Sequence, residues 1–366
     1  LNQNPHLRPS KTAILLLNLG TPSAPTPKAV RAYLKEFLSD PRVVEIPRVI
    51  WWCILNGIIL PIRSGASAKK YASIWLPKLG SPLMHYSRLQ AKELGERLAI
   101  QGHTILVDLA MRYGRPSTQE VLEGLKAQGM ERLLLVPLYP QYSATTTASS
   151  FDEVFRVLGG WRDQPELRLV KHYHDHPAYI SALRDQVLSA WENDGNGRPD
   201  FSKGDRFILS FHGLPKRNLM KGDPYHCECL KTGRLLGESL GLEPGQYMVT
   251  FQSRFGKAEW LKPYTAPTIE KLGKEGCRRI DIFCPGFPAD CLETLEEIAM
   301  EAREIFLEHG GKDYHYIPCL NSNPKWIEAL DQIASQHLLG WPLGSESEAE
   351  LIERDQRAEL AKARIA

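Results

Sequence analysis

The chain has 366 residues, 43% of them hydrophobic and 24% charged, so it can bury a sizeable core and is too long for one small domain. Its 45 basic and 43 acidic residues nearly cancel, which leaves no electrostatic footprint for a nucleic-acid backbone, and no nucleic-acid partner is expected. Seven cysteines, an odd number at irregular positions, fit reduced thiols in a cytoplasmic enzyme better than a secreted disulfide framework.

The start, Leu1 to Lys11, is polar and lacks the charged head and apolar run of a secretory signal, so export is not expected. An apolar strand pattern, Ala13 to Leu17, runs into a Gly-Thr-Pro turn, and a helical pattern follows from Lys28 to Leu38. The run Val49 to Ile62 (VIWWCILNGIILPI), flanked by Arg48 and Arg63, reads as too short to span a bilayer. Two readings stay open for it: a buried core helix, or an apolar lip at a membrane surface or pocket mouth, anchored by Trp51, Trp52 and the flanking cations.

Further on, helical patterns (Ser87 to Ala99, Gln119 to Gln128, Ala178 to Glu192) alternate with strand patterns (Thr104 to Met111, Arg132 to Leu138). The polar stretch Asn193 to Asp205 reads as a linker. Beyond it, strands Arg206 to Phe211, Gln246 to Phe251 and Arg279 to Cys284 alternate with helices Thr268 to Lys274 and Leu292 to His309. Such alternation predicts an α/β fold with parallel sheets. We expect two similar Rossmann-like domains facing a cleft, residues 8–192 with the lip at 49–62 and residues 206–340, then a charged tail, 345–366, as a frayed helix.

The second half echoes the first. ILLLNLGTP resembles FILSFHGLP, Arg112-Tyr113-Gly114-Arg115 resembles Arg254-Phe255-Gly256-Lys257, and Pro137-Leu138-Tyr139-Pro140 resembles Pro285-Gly286-Phe287-Pro288. The three matches keep their order and fall at or near strand ends. In open parallel sheets ligands bind beyond the carboxyl ends of the strands, so these segments are where chemistry is expected.

His212 follows the strand Phe207 to Phe211 and precedes Gly213 and Pro215. With an ordinary pKa of about 6.5, its imidazole can take a proton from a weakly acidic N–H or ligate a metal; the alternative is a hydrogen-bonded structural histidine. Asp290, Glu293, Glu297 and Glu301 follow the turn Pro285 to Pro288. Glutamates at i, i+4 and i+8 make a row of hard oxygen ligands suited to a divalent cation in transit. With Leu292, Leu295, Ala299, Ala302 and Phe306 opposite, they are equally readable as the solvated side of an amphipathic helix.

Arg112, Tyr113, Arg254, Phe255, Tyr139, Tyr142 and Trp260 would suit a flat, apolar, dianionic ligand, with rings stacking and Arg meeting carboxylates; each is also an ordinary core or ion-pair residue. His172, His174 and His176 alternate as on one strand face, and His226, Cys227 and Cys229 cluster, but neither set has a complete four-ligand zinc spacing, and both are read as incidental. No phosphate-loop or dinucleotide-binding glycine motif occurs.

In order from about Ala13 to Asn323, the motifs LLLNLGTP, AMRYGRP, LYPQYS with Thr145-Thr146-Thr147, LSFHGLP, KGDPY, FQSRFGKAEWLKPYT and CPGFPADCLETLEEI resemble those of ferrochelatases, most of all proteobacterial ones. The resemblance implies a class II chelatase-like fold that inserts Fe2+ into protoporphyrin IX held between two halves. It implies His212 and Glu293 as catalytic residues, and His212, Glu293, Glu297 and Glu301 as metal-facing. It further implies Leu19, Arg112, Tyr113 and Trp260 around the macrocycle, with Arg63 and Ser81 as further candidates for porphyrin contact.

The lip resembles the segment that brings relatives against a membrane, so peripheral attachment to the cytoplasmic face is expected. No tightly bound cofactor is expected, iron being a substrate. Cys291 stands where many relatives have histidine, so that histidine's role does not carry over. No cysteine follows Cys319, so the C-terminal cysteines that hold a [2Fe–2S] cluster in some relatives are missing, and such a cluster is not expected. The rival readings are a chelatase for coproporphyrin or cobalt and a non-catalytic haem carrier; oligomeric state is not legible.

Overall fold

The computed structural model describes residues 10–193, 197–256, 258–344 and 348–365. The polar start through residue 9, residues 194–196 of the expected linker, Lys257 of the second echo motif, and residues 345–347 and 366 of the tail lie outside the described residues. In the first half, β1 (Lys11–Gly20), β2 (Leu106–Tyr113), β3 (Met130–Pro137) and β4 (Glu166–Leu169) form one parallel sheet in the order β2-β1-β3-β4. In the second, β5 (Arg206–His212), β6 (Tyr247–Gln252), β7 (Arg279–Phe283) and β8 (Asp313–Tyr316) repeat it as β6-β5-β7-β8.

The central strands are unbroken apolar runs because helices cover both faces of each sheet. Ala13 through Leu17 are all fully buried, as are Phe207, Ile208, Leu209 and Phe211. Of the four edge strands, β4 and β8 were not expected: they are four residues long and partly polar (ELRL, DYHY). Helices 149–158, 216–220, 225–239 and 324–338 were likewise not foreseen.

The echo has a packing cause. A Cβ on Gly20, whose φ is +113°, would lie 1.8 Å from the Tyr113 carbonyl oxygen, and one on Gly213 would lie 2.6 Å from the Gln252 carbonyl oxygen. In each half, glycine at the end of the central strand lets the neighbouring strand's main chain pass at a distance no side chain allows.

The halves exchange their last helices. Trp191, on the helix Pro177–Asn193, donates its indole N–H to Asp281 at 2.7 Å, and its ring lies 5.4 Å from that of Phe207, both in the second half. The helix Pro324–Leu338 packs in return on the first half, where Asp331 pairs with Arg97 at 2.7 Å and Trp326 meets Tyr173 and Tyr179. A cut between residues 192 and 206 therefore separates the sheets but not their packing.

Two helices depart from expectation. The lip is part of a continuous helix, Arg48–Ile74, which by length and composition could cross a membrane, so shortness is no argument against a span. Its far end is built into the protein: Ser64, Ala68, Tyr71 and Ile74 are buried. Glu293–Glu301 is a π-helix, with the Ala302 N–H returning five residues to the Glu297 carbonyl, and it becomes α-helical only at Ala302–Glu308. Thr294, Ile298, Ala302 and Phe306 face its own sheet, while Leu292 and Leu295 pack against a first-half cluster of Val30, Tyr33, Tyr71 and Tyr113.

Candidate active site

The strand order of the second sheet reverses between β5 and β7, and a crevice for ligands opens where neighbouring strands send their chains in opposite directions. His212 ends β5, and the segment leading to Glu293 leaves β7. The two residues thus come from the pair of strands that flank the crevice. The Nδ1 of His212 lies 2.6 Å from the Gly213 carbonyl oxygen. A carbonyl only accepts, so Nδ1 carries the hydrogen and Nε2 keeps its lone pair free for a proton or a metal.

Gln252, buried at the end of β6, connects the two sides. Its side chain accepts from the Ser210 hydroxyl at 2.7 Å and donates to the Glu293 main-chain carbonyl at 2.8 Å, while its own carbonyl takes the Gly213 N–H at 2.8 Å. Ser253, with a φ of 63°, turns its N–H to Glu297 Oε1 at 2.6 Å and its hydroxyl to Oε2. Sequence reasoning missed both residues, although both lie inside the quoted FQSRFGK motif.

Burial pushes the Glu297 carboxyl above its ordinary value, against the pull of Ser253 and of nearby His212, with Glu293 adding to the push. The sign follows: folding favours its protonated form, so its contribution to stability falls as pH rises from the ordinary carboxylate range toward the raised value. In the first-half cluster that Leu292 and Leu295 pack against, burial lifts the phenols of Tyr33 and Tyr71, and the Glu293 carboxylate adds to both. The Cys291 thiol, fully enclosed next to Glu293, is also pushed up by burial first and by that carboxylate second.

The acids form a graded row rather than one chelating knot. Glu293 and Glu297 are half-buried, and the Glu301 side chain is 53% exposed at the outer end. Lys70, from the lip helix, spans the gap to Glu296 at 2.8 Å and Glu301 at 3.3 Å. The row thus runs from the exposed Glu301 to Glu297, whose carboxyl feels the charge of His212.

The expected porphyrin contacts fare unequally. Leu19 is half-buried in the cluster with Tyr33, Tyr71 and Tyr113. Trp260 lies beside the histidine turn, where a Cβ on Gly213 would come within 3.1 Å of its ring, and its indole N–H is buried without a partner. Arg63 is exposed and sits 4.2 Å over the Phe255 ring, joining the lip to the second half.

Three further expected contacts are engaged within the protein itself. Tyr113 is fully buried, its hydroxyl donated to Asp40 at 2.8 Å. Arg112 spends Nη2 on Asp40 at 2.6 Å and Nε on Ser149, so that edge of its fork is not free for a carboxylate. Ser81 is buried and accepts from the Thr21 hydroxyl at 2.8 Å. Arg112 and Tyr113 meet at Asp40, whose carboxyl, against its burial, is held low by Ser149, Arg42, Tyr113 and Arg112.

A family model described as ferrochelatase matches residues 11–338. The chain is 60% identical over 353 residues to a ferrochelatase of Herminiimonas arsenicoxydans, covering 96% of this chain and 94% of that one. It is 62% identical over 332 residues to a ferrochelatase of Janthinobacterium sp. (strain Marseille), covering 91% and 88%. Among solved structures, SirB from Bacillus subtilis with Fe3+ matches with a TM-score of 0.53 over 90% of this chain and 96% of that one; at 13% identity the likeness bears on the fold alone.

Proposed function

The chain belongs to the ferrochelatase family, and from that premise we propose how its residues insert ferrous iron into protoporphyrin IX, a lyase reaction of haem biosynthesis that releases two protons. A planar porphyrin shields its four nitrogens, two of them protonated, so metal enters only when the ring bends and both protons leave. The crevice must therefore bind a bent ring better than a flat one, converting contact energy at the rim into strain at the centre. Trp260 and Leu19 are the rim contacts, with Arg63 the exposed cation available to a propionate at the mouth.

His212 accepts the pyrrole protons through Nε2, and Glu293 stabilises the resulting imidazolium and passes protons outward. Iron sheds water at Glu301 and then Glu297 before transfer. The observation that carries this reading is the placement of His212 and Glu293 beyond β5 and β7, the strands that flank the reversal, with Glu297 electrostatically coupled to both. The test is anaerobic incubation with ferrous iron and either protoporphyrin or coproporphyrin. Protoporphyrin should be metallated faster; preference for coproporphyrin would reverse the substrate assignment, and absence of insertion would favour a haem carrier.

The lip is the proposed membrane contact, on the cytoplasmic face, where an apolar porphyrin would be drawn from the bilayer. Val49, Ile62 and Trp52 are 81%, 69% and 64% exposed on one helix, a patch that water does not favour. Replacing all three by serine should weaken co-sedimentation with anionic lipid vesicles by at least about tenfold, since each buried apolar side chain is worth about 1.5–3 kcal/mol. Unchanged co-sedimentation would remove the lip from this role.

A further inference from the structure

His172 and His174, of the loop after β4 in the first half, meet Glu228 of the helix Tyr225–Ser239 in the second. The Nδ1 of His172 lies 2.6 Å from Glu228 Oε1, and the Nδ1 of His174 lies 3.4 Å from Oε2. One ligand atom from each of the three residues lies within 4.8 Å of the other two. His174 is 5% exposed, and its Nδ1 is buried with no hydrogen-bond partner, so its separation from Oε2 is proximity without a bond. A buried imidazole nitrogen left unsatisfied beside a carboxylate is costly unless something else occupies its lone pair.

We propose that His172, His174 and Glu228 bind a divalent cation of the zinc class, at a site separate from the iron path, which ties the two halves together. Two imidazoles, a carboxylate and one water make a four-coordinate set for a borderline cation, with metal–ligand distances of about 2.0–2.2 Å reached by small side-chain movements. Asp175 Oδ2 lies 3.8 Å from His174 Nε2, beyond hydrogen-bond reach, and is paired with Lys231 at 2.5 Å. Glu228 also takes the Tyr142 N–H at 2.7 Å, and Thr232 donates to the His174 carbonyl at 2.8 Å.

His176 does not belong to the set, since its Nε2 is engaged by Gln336 at 2.9 Å. Nor do His226, Cys227 and Cys229, read as incidental from the sequence: His226 stacks on Phe251 and Cys229 is fully buried.

Co2+ titration of the full chain tests this, because four-coordinate Co2+ absorbs visibly where the hydrated ion barely does, and Zn2+ displaces it. One equivalent should bind with that spectrum, and should persist in Glu297→Gln, which disables the iron path. Affinity should fall at least tenfold in His174→Ala and in His172→Ala; His172 is exposed, so its removal leaves the fold intact if His174→Ala does not. Absence of the spectrum in the parent chain, an unchanged titration in folded His172→Ala, or its loss in Glu297→Gln would overturn the site.

Discussion

His212→Ala should lower the rate of iron insertion by about a thousandfold, within the 10²–10⁴ that a positioned acid or base contributes, while leaving protoporphyrin bound. The rim contacts proposed for the macrocycle are other residues, and the ring of His212 is half-exposed, so truncating it opens no core cavity. What is lost is the one lone pair that the Gly213 carbonyl leaves free at Nε2. The assay follows loss of porphyrin fluorescence under anaerobic ferrous iron, with porphyrin affinity measured separately by quenching of the protein's tryptophans. Turnover within tenfold of the parent would take His212 out of the reaction. Loss of porphyrin binding in step with turnover would make it a binding residue.

The sequence made the centre of each half legible and left the margins dark, for a physical reason. β1 and β5 are enclosed on both faces, so their runs from Ala13 to Leu17 and from Phe207 to Phe211 carry their burial in their composition. β4 and β8 lie at sheet edges, where four residues with alternating polarity look like loop. The helix Pro324–Leu338 has an apolar stripe whose partners belong to the other half, so nothing near it in sequence announces what it covers. The π-helix at Glu293–Glu301 escaped because acids four apart share a face in either winding.

The site was legible where residue type limits chemistry, as for His212 and the glutamate row. It was illegible where tertiary contact assigns the role. Tyr113 reads as a stacking ring until Asp40 is found holding its hydroxyl in the interior. Gln252 and Ser253 read as ordinary strand-end polar residues until their amide and hydroxyl are seen fixing Glu293 and Glu297.

Glu293→Gln should lower kcat by about 10²–10³ with porphyrin affinity unchanged, and should move the acid limb of the pH profile to lower pH. The amide is isosteric, and the bond that anchors this residue runs from Gln252 to its main-chain carbonyl, so the substitution leaves the segment in place. What disappears is the carboxylate whose charge acts on Glu297. The pH shift has a definite sign. Glu293 contributes to raising the carboxyl of Glu297, so a neutral residue 293 lets Glu297 ionise at lower pH. If Glu297 must be ionised to receive iron from Glu301, the protonated fraction that limits the parent enzyme on the acid side shrinks at any given pH. The limb shift reports the charge of residue 293 acting on Glu297, and an unchanged limb would remove that coupling; a glutamate that only gathers iron would raise KM for iron and spare kcat. The combination of a lower kcat and an acid limb displaced downward is what distinguishes a proton-handling carboxylate next to a coupled neighbour.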